Sequence, residues 1–222
     1  MAGLTYKAIA YEYIKHAILN GLYLPGASLV EATIAEELGT SRTPVREAIR
    51  ELGREGLVEI APHKGAKVKV LSSDDLLDIF DIKIRVEGLC AASAARRSGP
   101  ATAVRLFKAA AAMESAAQSN NRQAYLQADE EYHHAIYEGA KSERACHIVE
   151  GLNAQWHRMR QGMAAIESRM QTGAEEHRRI AAAIESGNAE LAETAMREHL
   201  EQLRDEIHSM LRDFSLPMDG VQ

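Results

Sequence analysis

Four side chains in the second half of this 222-residue chain have the types and spacing of metal ligands. Asp129 and His133 stand at i and i+4, so on a helix they share a face, in line with Leu126, Ile136 and Tyr137. His177 recurs with Ile180 and Ile184, and His199 with Ala192, Ala195, Met196 and Leu203, which puts both imidazoles on inward stripes. His134 lines up with Gln127, Glu130 and Glu138 instead and is expected to face water. One carboxylate and three imidazoles buried on three helices are costly to desolvate without partners. A divalent transition ion (zinc, nickel, manganese or iron) removes that cost, because imidazole nitrogen and carboxylate oxygen suit such ions. Taken singly, each histidine is more simply a core or capping residue; the four together carry the metal reading.

A second constellation lies near the amino terminus. Arg42, Thr43, Arg46 and Arg50 fall at the start and along one side of a segment whose other side, Val45, Ala48, Ile49 and Leu52, repeats at i, i+3, i+4 and i+7. Ser41 or Thr43 can cap this helix, and Pro44 suits its first turn. A short helix over Val30 to Leu38 precedes it, with Ile34, Ala35 and Leu38 on one face and Gly39 as its stop. A first helix over 5–19 carries apolar residues at Ile9, Tyr13, His16 or Ala17, and Leu19 or Leu22, and stops at Asn20-Gly21. Leu57 to Ile60 and Ala66 to Val70 are β-prone and flank Ala61-Pro62-His63-Lys64-Gly65, a hairpin with a basic tip. Helix, turn, arginine-rich helix and basic hairpin follow in the order of a winged helix-turn-helix, whose second helix enters the major groove of DNA. The plainer alternative is a solvated basic helix beside a hairpin of no special purpose.

Charge follows the same division. The whole chain carries -6, which argues against nucleic acid as a partner. Divided after Ser72, residues 1–72 hold nine Lys plus Arg against eight Asp plus Glu, whereas residues 73–222 hold 17 against 24. The acidic excess thus belongs to the second part, and the first part has its arginines gathered at one helix. Beyond Ser73 six helical segments are expected, at about 73–98, 100–118, 122–138, 143–169, 173–186 and 188–212. Their inward residues include Leu76, Leu89, Leu106, Met113, Ile148, Leu152 and Trp156. The fold class is therefore mainly α, a winged helix-turn-helix over 1–72 followed by an antiparallel all-α bundle over 73–222. Aromatic residues make up only 5% and hydrophobic ones 46%, a helix-favouring composition of a globular chain. Cys90 and Cys146 read as separate thiols. No apolar run approaches the roughly 20 residues of a membrane span, so the expected location is the cytoplasm.

Leu24-Pro25-Gly26, Ile34-Ala35-Glu36-Glu37-Leu38-Gly39, Ser41-Arg42-Thr43-Pro44-Val45-Arg46-Glu47-Ala48-Ile49, Glu55-Gly56-Leu57-Val58 and Lys64-Gly65 resemble the GntR family of bacterial transcription regulators. The resemblance implies that Arg42, Thr43 and Arg46 contact operator bases and phosphates, and that His63, Lys64 and Gly65 of the wing reach the minor groove. Where some members add a basic residue early in the second helix, this chain has Ala32. Asp129-x-x-Tyr132-His133, Glu176-His177 and Glu198-His199-Leu200 resemble the FadR-type branch, whose helical ligand-sensing (FCD) domain carries an Asp and three His. That resemblance implies Asp129, His133, His177 and His199 as ligands of a metal with positions open to a small carboxylate effector. The usual Arg four residues before a Glu is here Lys83 before Glu87, with Arg85 displaced. Lys83, Arg158 and Arg160 are the basic candidates for an anionic effector.

The expected protein is thus a homodimeric, effector-responsive regulator and not an enzyme, since a palindromic operator needs two recognition helices related by a two-fold axis. Two rivals use the same quartet: a metal-dependent enzyme acting on a small carboxylate, and a regulator whose metal is purely structural. Against the enzyme, no separate general acid or base stands beside the quartet, and H-E-x-x-H is absent.

Overall fold

In a computed structural model the backbone is described for residues 5–61, 65–163 and 167–215, and the side chains for residues 5–61, 65–157 and 169–210. The chain divides into two compact units, Met1–Ser72 with Gly151–Arg158, and Ser73–Glu150 with Met159–Gln222. The boundary at Ser72 is where the charge divides, while eight residues beyond it, Gly151–Arg158, group with the first unit.

The first unit opens with α1 (Tyr6–Leu19), capped by the Thr5 hydroxyl, which accepts from the Ala8 amide at 3.2 Å. Next come β1 (Ser28–Leu29), α2 (Glu31–Glu37), α3 (Arg42–Arg54), β2 (Val58–Ala61) and β3 (Gly65–Val68). The sheet is antiparallel in the order β1-β3-β2, with Ser28 opposite Lys67 and Glu59 opposite Lys67 on the other side. The hairpin was legible; β1 was not, because two residues are too short for any periodicity. Val45, Ala48, Ile49 and Leu52 of α3 are buried against Ile14, Ile34, Leu57, Val58 and Val68, as the α3 pattern predicts. Ser41 stands at the α3 N-cap without a side-chain hydrogen bond.

The α1 face requires a correction. Its buried residues are Ala10, Ile14, Ala17 and Ile18, whereas Ile9, Tyr13 and Leu22 are exposed. The expected stripe lies one residue early because it followed the bulkiest side chains. Close packing of α1 on α3 favours the small Ala10 and Ala17, and Tyr13 instead sends its hydroxyl to Glu37 at 2.8 Å.

The second unit contains α4 (Ser73–Arg97), α5 (Pro100–Gln118), α6 (Arg122–Ala140), both ends of α7 (Glu143–Met163), α8 (Glu167–Glu185) and α9 (Ala189–Ser215). Within it α4 packs on α6 and α9, α5 on α6 and α8, and α8 on α9. Leu106 and Met113 are buried as expected, but Leu89 and Ile148 are about half exposed at 50% and 48%, and the buried neighbours are Cys90 and Val149. The boundary expected between 169 and 173 is not found: α8 spans Glu167–Glu185 and carries Gly173 in its interior. Both thiols are free. No helix among the described residues is long and apolar enough to cross a membrane.

The α1 correction is testable. Ile14→Ala should cost about 2–5 kcal/mol by leaving a cavity in a site with no exposure, whereas Ile9→Ala should cost under about 1 kcal/mol. Denaturant midpoints of the two variants, read at the first unit's transition, distinguish the faces; equal losses would restore the earlier stripe.

Candidate metal centre and nucleic-acid interface

In the helical unit α6 supplies Asp129 and His133, α8 supplies His177 and α9 supplies His199. One ring nitrogen from each of the three imidazoles lies within 4.8 Å of the others. His177 Nε2 is 3.4 Å from His133 Nε2 and 3.2 Å from Asp129 Oδ1, and His133 Nε2 is 3.8 Å from the same oxygen. Asp129, His177 and His199 are buried, and the His133 side chain keeps 13% exposure.

The opposite nitrogens explain this orientation. His177 Nδ1 donates to the Gly173 carbonyl at 2.6 Å, one turn back on α8. His199 Nδ1 donates to Glu176 Oε2 at 2.6 Å. His133 Nδ1 lies 2.9 Å from Glu87 Oε2, although off hydrogen-bonding alignment. In His177 and His199 the acceptor at Nδ1 places the proton there and leaves Nε2 as the lone-pair nitrogen. Lone pairs and a carboxylate oxygen so close together repel one another unless a cation lies among them. The donor set, three imidazole nitrogens beside one carboxylate, therefore fits a divalent transition ion.

Charged supports hold these acceptors. Arg169 grips Glu176 with two nitrogens, at 3.1 and 2.9 Å, and adds Glu206 at 3.3 Å. Burial would raise the Glu176 carboxyl, but hydrogen bonds from His199 and Arg169 outweigh it and bring it down to about 2. Burial, followed by the neighbouring His177, pushes His199 down to about 4, so this imidazole is neutral near pH 7. Glu87, with no exposure, pairs with Lys83 and accepts from the Tyr137 hydroxyl at 2.8 Å. Burial again opposes its ionisation, yet Lys83 and then His133 hold it well below the usual carboxylate range. The Tyr132 hydroxyl donates to the His177 carbonyl at 2.7 Å, and its ring meets that imidazole edge-on at 4.6 Å.

In the amino-terminal unit Arg42, Thr43, Arg46 and Arg50 are all exposed along α3, opposite its buried stripe. The three arginines border a cleft completed by Ser28, Glu31 and Gly65. Gly65 opens β3 with φ +83, a left-handed conformation that suits glycine. Arg46 Nε reaches Glu31 Oε1 at 2.9 Å and Oε2 at 3.1 Å, and its Nη2 reaches Oε2 at 2.6 Å. His63 and Lys64 lie outside the described residues.

Residues 5–68 match the bacterial regulatory proteins of the gntR family, and residues 78–202 match the FCD domain. The chain belongs to the GntR family and carries an FCD domain. Its relatives include the probable D-xylose utilization operon transcriptional repressor of Paenarthrobacter nicotinovorans, 33% identical over 85% of this chain and 83% of that protein. The transcriptional repressor RspR of Escherichia coli K12 is 23% identical over 92% of this chain and 90% of its own length. Among solved structures, E. coli McbR/YncC superposes with a TM-score of 0.77 at 21% identity, over 94% of this chain and all of that one. This last likeness speaks to fold.

Of the residues expected from sequence in this GntR regulator, the structure brings the three histidines together with Asp129 against two of them. Of the basic candidates for an effector, Lys83 stands one residue away from the cluster: it is 3% exposed and paired to Glu87, whose other oxygen faces His133. The side chains of Arg158 and Arg160 lie outside the described residues. Sequence reasoning overlooked Glu176, Arg169 and the Gly173 carbonyl. Arg169 and Glu176 stand two helical turns apart, one face of α8, which is a legible signal once α8 is known to begin at Glu167.

Gly173 also has a steric role, since a Cβ there would collide with the Tyr125 hydroxyl. Gly173→Ala should therefore destabilise the bundle by about 1–3 kcal/mol, and the loss should shrink in a Tyr125→Phe background. Thermal melts of the double-mutant cycle check this; the same loss in both backgrounds would show that the hydroxyl is not the obstacle.

Proposed function

We propose that this GntR/FCD protein is a cytoplasmic, effector-responsive repressor that binds a palindromic operator as a homodimer and reads a small carboxylate at a metal site in its helical unit. The convergence of three imidazole nitrogens, with Asp129 against His133 and His177 and with His177 and His199 hydrogen-bonded from their far sides, is the observation that carries the sensory part. Asp129, His133, His177 and His199 would hold the ion, which supplies Lewis-acid affinity for a carboxylate oxygen. The chain's own residues orient the imidazoles: Glu176 with Arg169 behind His199, Glu87 with Lys83 behind His133, and the Gly173 carbonyl behind His177. Lys83, Arg158 and Arg160 remain the candidates for a second anionic group on the effector.

On the DNA side, α3 offers Arg42, Thr43, Arg46 and Arg50 to the major groove, and the wing offers His63, Lys64 and Gly65 to the minor groove. Repression is the activity in the names of two relatives, which supports this sign of regulation. An effector alters operator affinity only as far as it binds one arrangement of the dimer more tightly than the other. A sensory site is favoured over a catalytic one because it is joined to a DNA-binding unit.

Two substitutions test the halves separately. His177→Ala should abolish stoichiometric metal by elemental analysis while circular dichroism stays helical, and it should remove any shift in melting temperature on adding hydroxy-acid carboxylates. Retention of a full equivalent of metal would sink the metal site. Arg46→Ala should weaken binding to a duplex selected by the wild-type protein by about 1–3 kcal/mol, as read by fluorescence anisotropy; unchanged affinity would remove α3 as the reading helix.

A further inference from the structure

The arginines of α3 surround a carboxylate, which is an unexpected charge for a surface that meets a polyanion. Glu31 opens α2 and lines the same cleft as Arg42, Arg46, Arg50 and Gly65. Arg46 holds it through Nε and Nη2 at 2.6–3.1 Å, with all three contacts on one edge of the guanidinium. The pair is open to water, at 50% exposure for Arg46 and 30% for Glu31, and such pairs add little to folding stability. A fork-type grip nevertheless restricts direction. With the Nε–Nη2 edge against Glu31, the Nη1–Nη2 edge is not used by that pair and still has two donors side by side, as a bidentate contact to guanine O6 and N7 needs.

The carboxylate also distinguishes between duplexes. A phosphate oxygen in a wrong register can take the Nε–Nη2 edge of Arg46 only by leaving Glu31 unpaired against the DNA charge. A base edge in the right register can be read while the ion pair persists. Hydrogen bonding from Arg46 outweighs burial and, with the charges of Arg46, Arg42 and Arg50, lowers the Glu31 carboxyl, so the negative charge is present at every physiological pH. Specificity obtained from a repulsive element as well as an attractive one is a general device at interfaces.

We infer that Glu31 is a specificity-determining, positioning residue of the DNA-binding unit: it aims Arg46 at one base edge and weakens binding to every duplex that does not offer that edge. This rests on the assignment of α3 as the reading helix. The test uses the full chain and two duplexes of equal length and composition, one selected by the wild-type protein from a random library and one shuffled. In Glu31→Gln, affinity for the shuffled duplex should rise, its salt slope should steepen by about 1 as Arg46 becomes available to a phosphate, and the selected-to-shuffled affinity ratio should fall about 10-fold. An unchanged ratio overturns the inference, and so does a parallel loss of affinity for both duplexes, which would mark Glu31 as a purely structural link between α2 and α3. Arg46→Ala, measured alongside, separates the two levels: if it leaves selected-duplex binding intact, the assignment of α3 fails by itself, whatever Glu31 does.

Discussion

Burial of charge inside a helical bundle is the constraint on which the second unit depends. Glu87, Glu176, Asp129, Lys83, Arg169, His177 and His199 are all buried. An isolated charge there is too costly to persist, so each must be answered by a partner of opposite sign or by a good hydrogen bond. Arg169 with Glu176 and Lys83 with Glu87 supply these answers in pairs. The pairs in turn hold two of the three imidazoles, and the α8 backbone holds the third. What results is a cluster whose supporting charges are paired and whose centre brings three imidazole nitrogens together.

The DNA-binding unit is built on a different principle. It has a small apolar core to which α1, α2, α3 and the sheet all contribute, and one amphipathic helix divides its inner and outer faces cleanly. Val45, Ala48, Ile49 and Leu52 anchor α3, and that anchoring is what presents Arg42, Arg46 and Arg50 in a row. Glu31 then restrains the middle one. Charges here lie in water, so their pairs add little to stability.

Much of this was legible from residue order. The α3 stripe, the hairpin and the inward histidines each depend on local periodicity, which a helix or strand must obey wherever it packs. The misplaced features have a common cause. Size points to Ile9 and Tyr13 for the α1 core and to Leu89 and Ile148 in the bundle, whereas Ala10, Ile14, Cys90 and Val149 are the buried residues. Close helix packing rewards small residues, and the exposed face of a soluble protein carries many large ones. Gly173 lay at the expected start of a helix, yet it sits inside one, where its missing side chain admits Tyr125.

The amino-acid sequence by itself determined the family, the two-part organisation, the exposed arginine face and which histidines point inward, because these are properties of single helices and short motifs. Tertiary structure alone decided which carboxylate stands behind which imidazole. Glu176 reaches His199 across 23 residues and Glu87 faces His133 across a separate helix. It also decided that Glu31 meets Arg46, from α2 to α3. Such pairings depend on how helices are rotated and spaced against one another, and a side chain's own periodicity carries no record of its neighbour on the next helix.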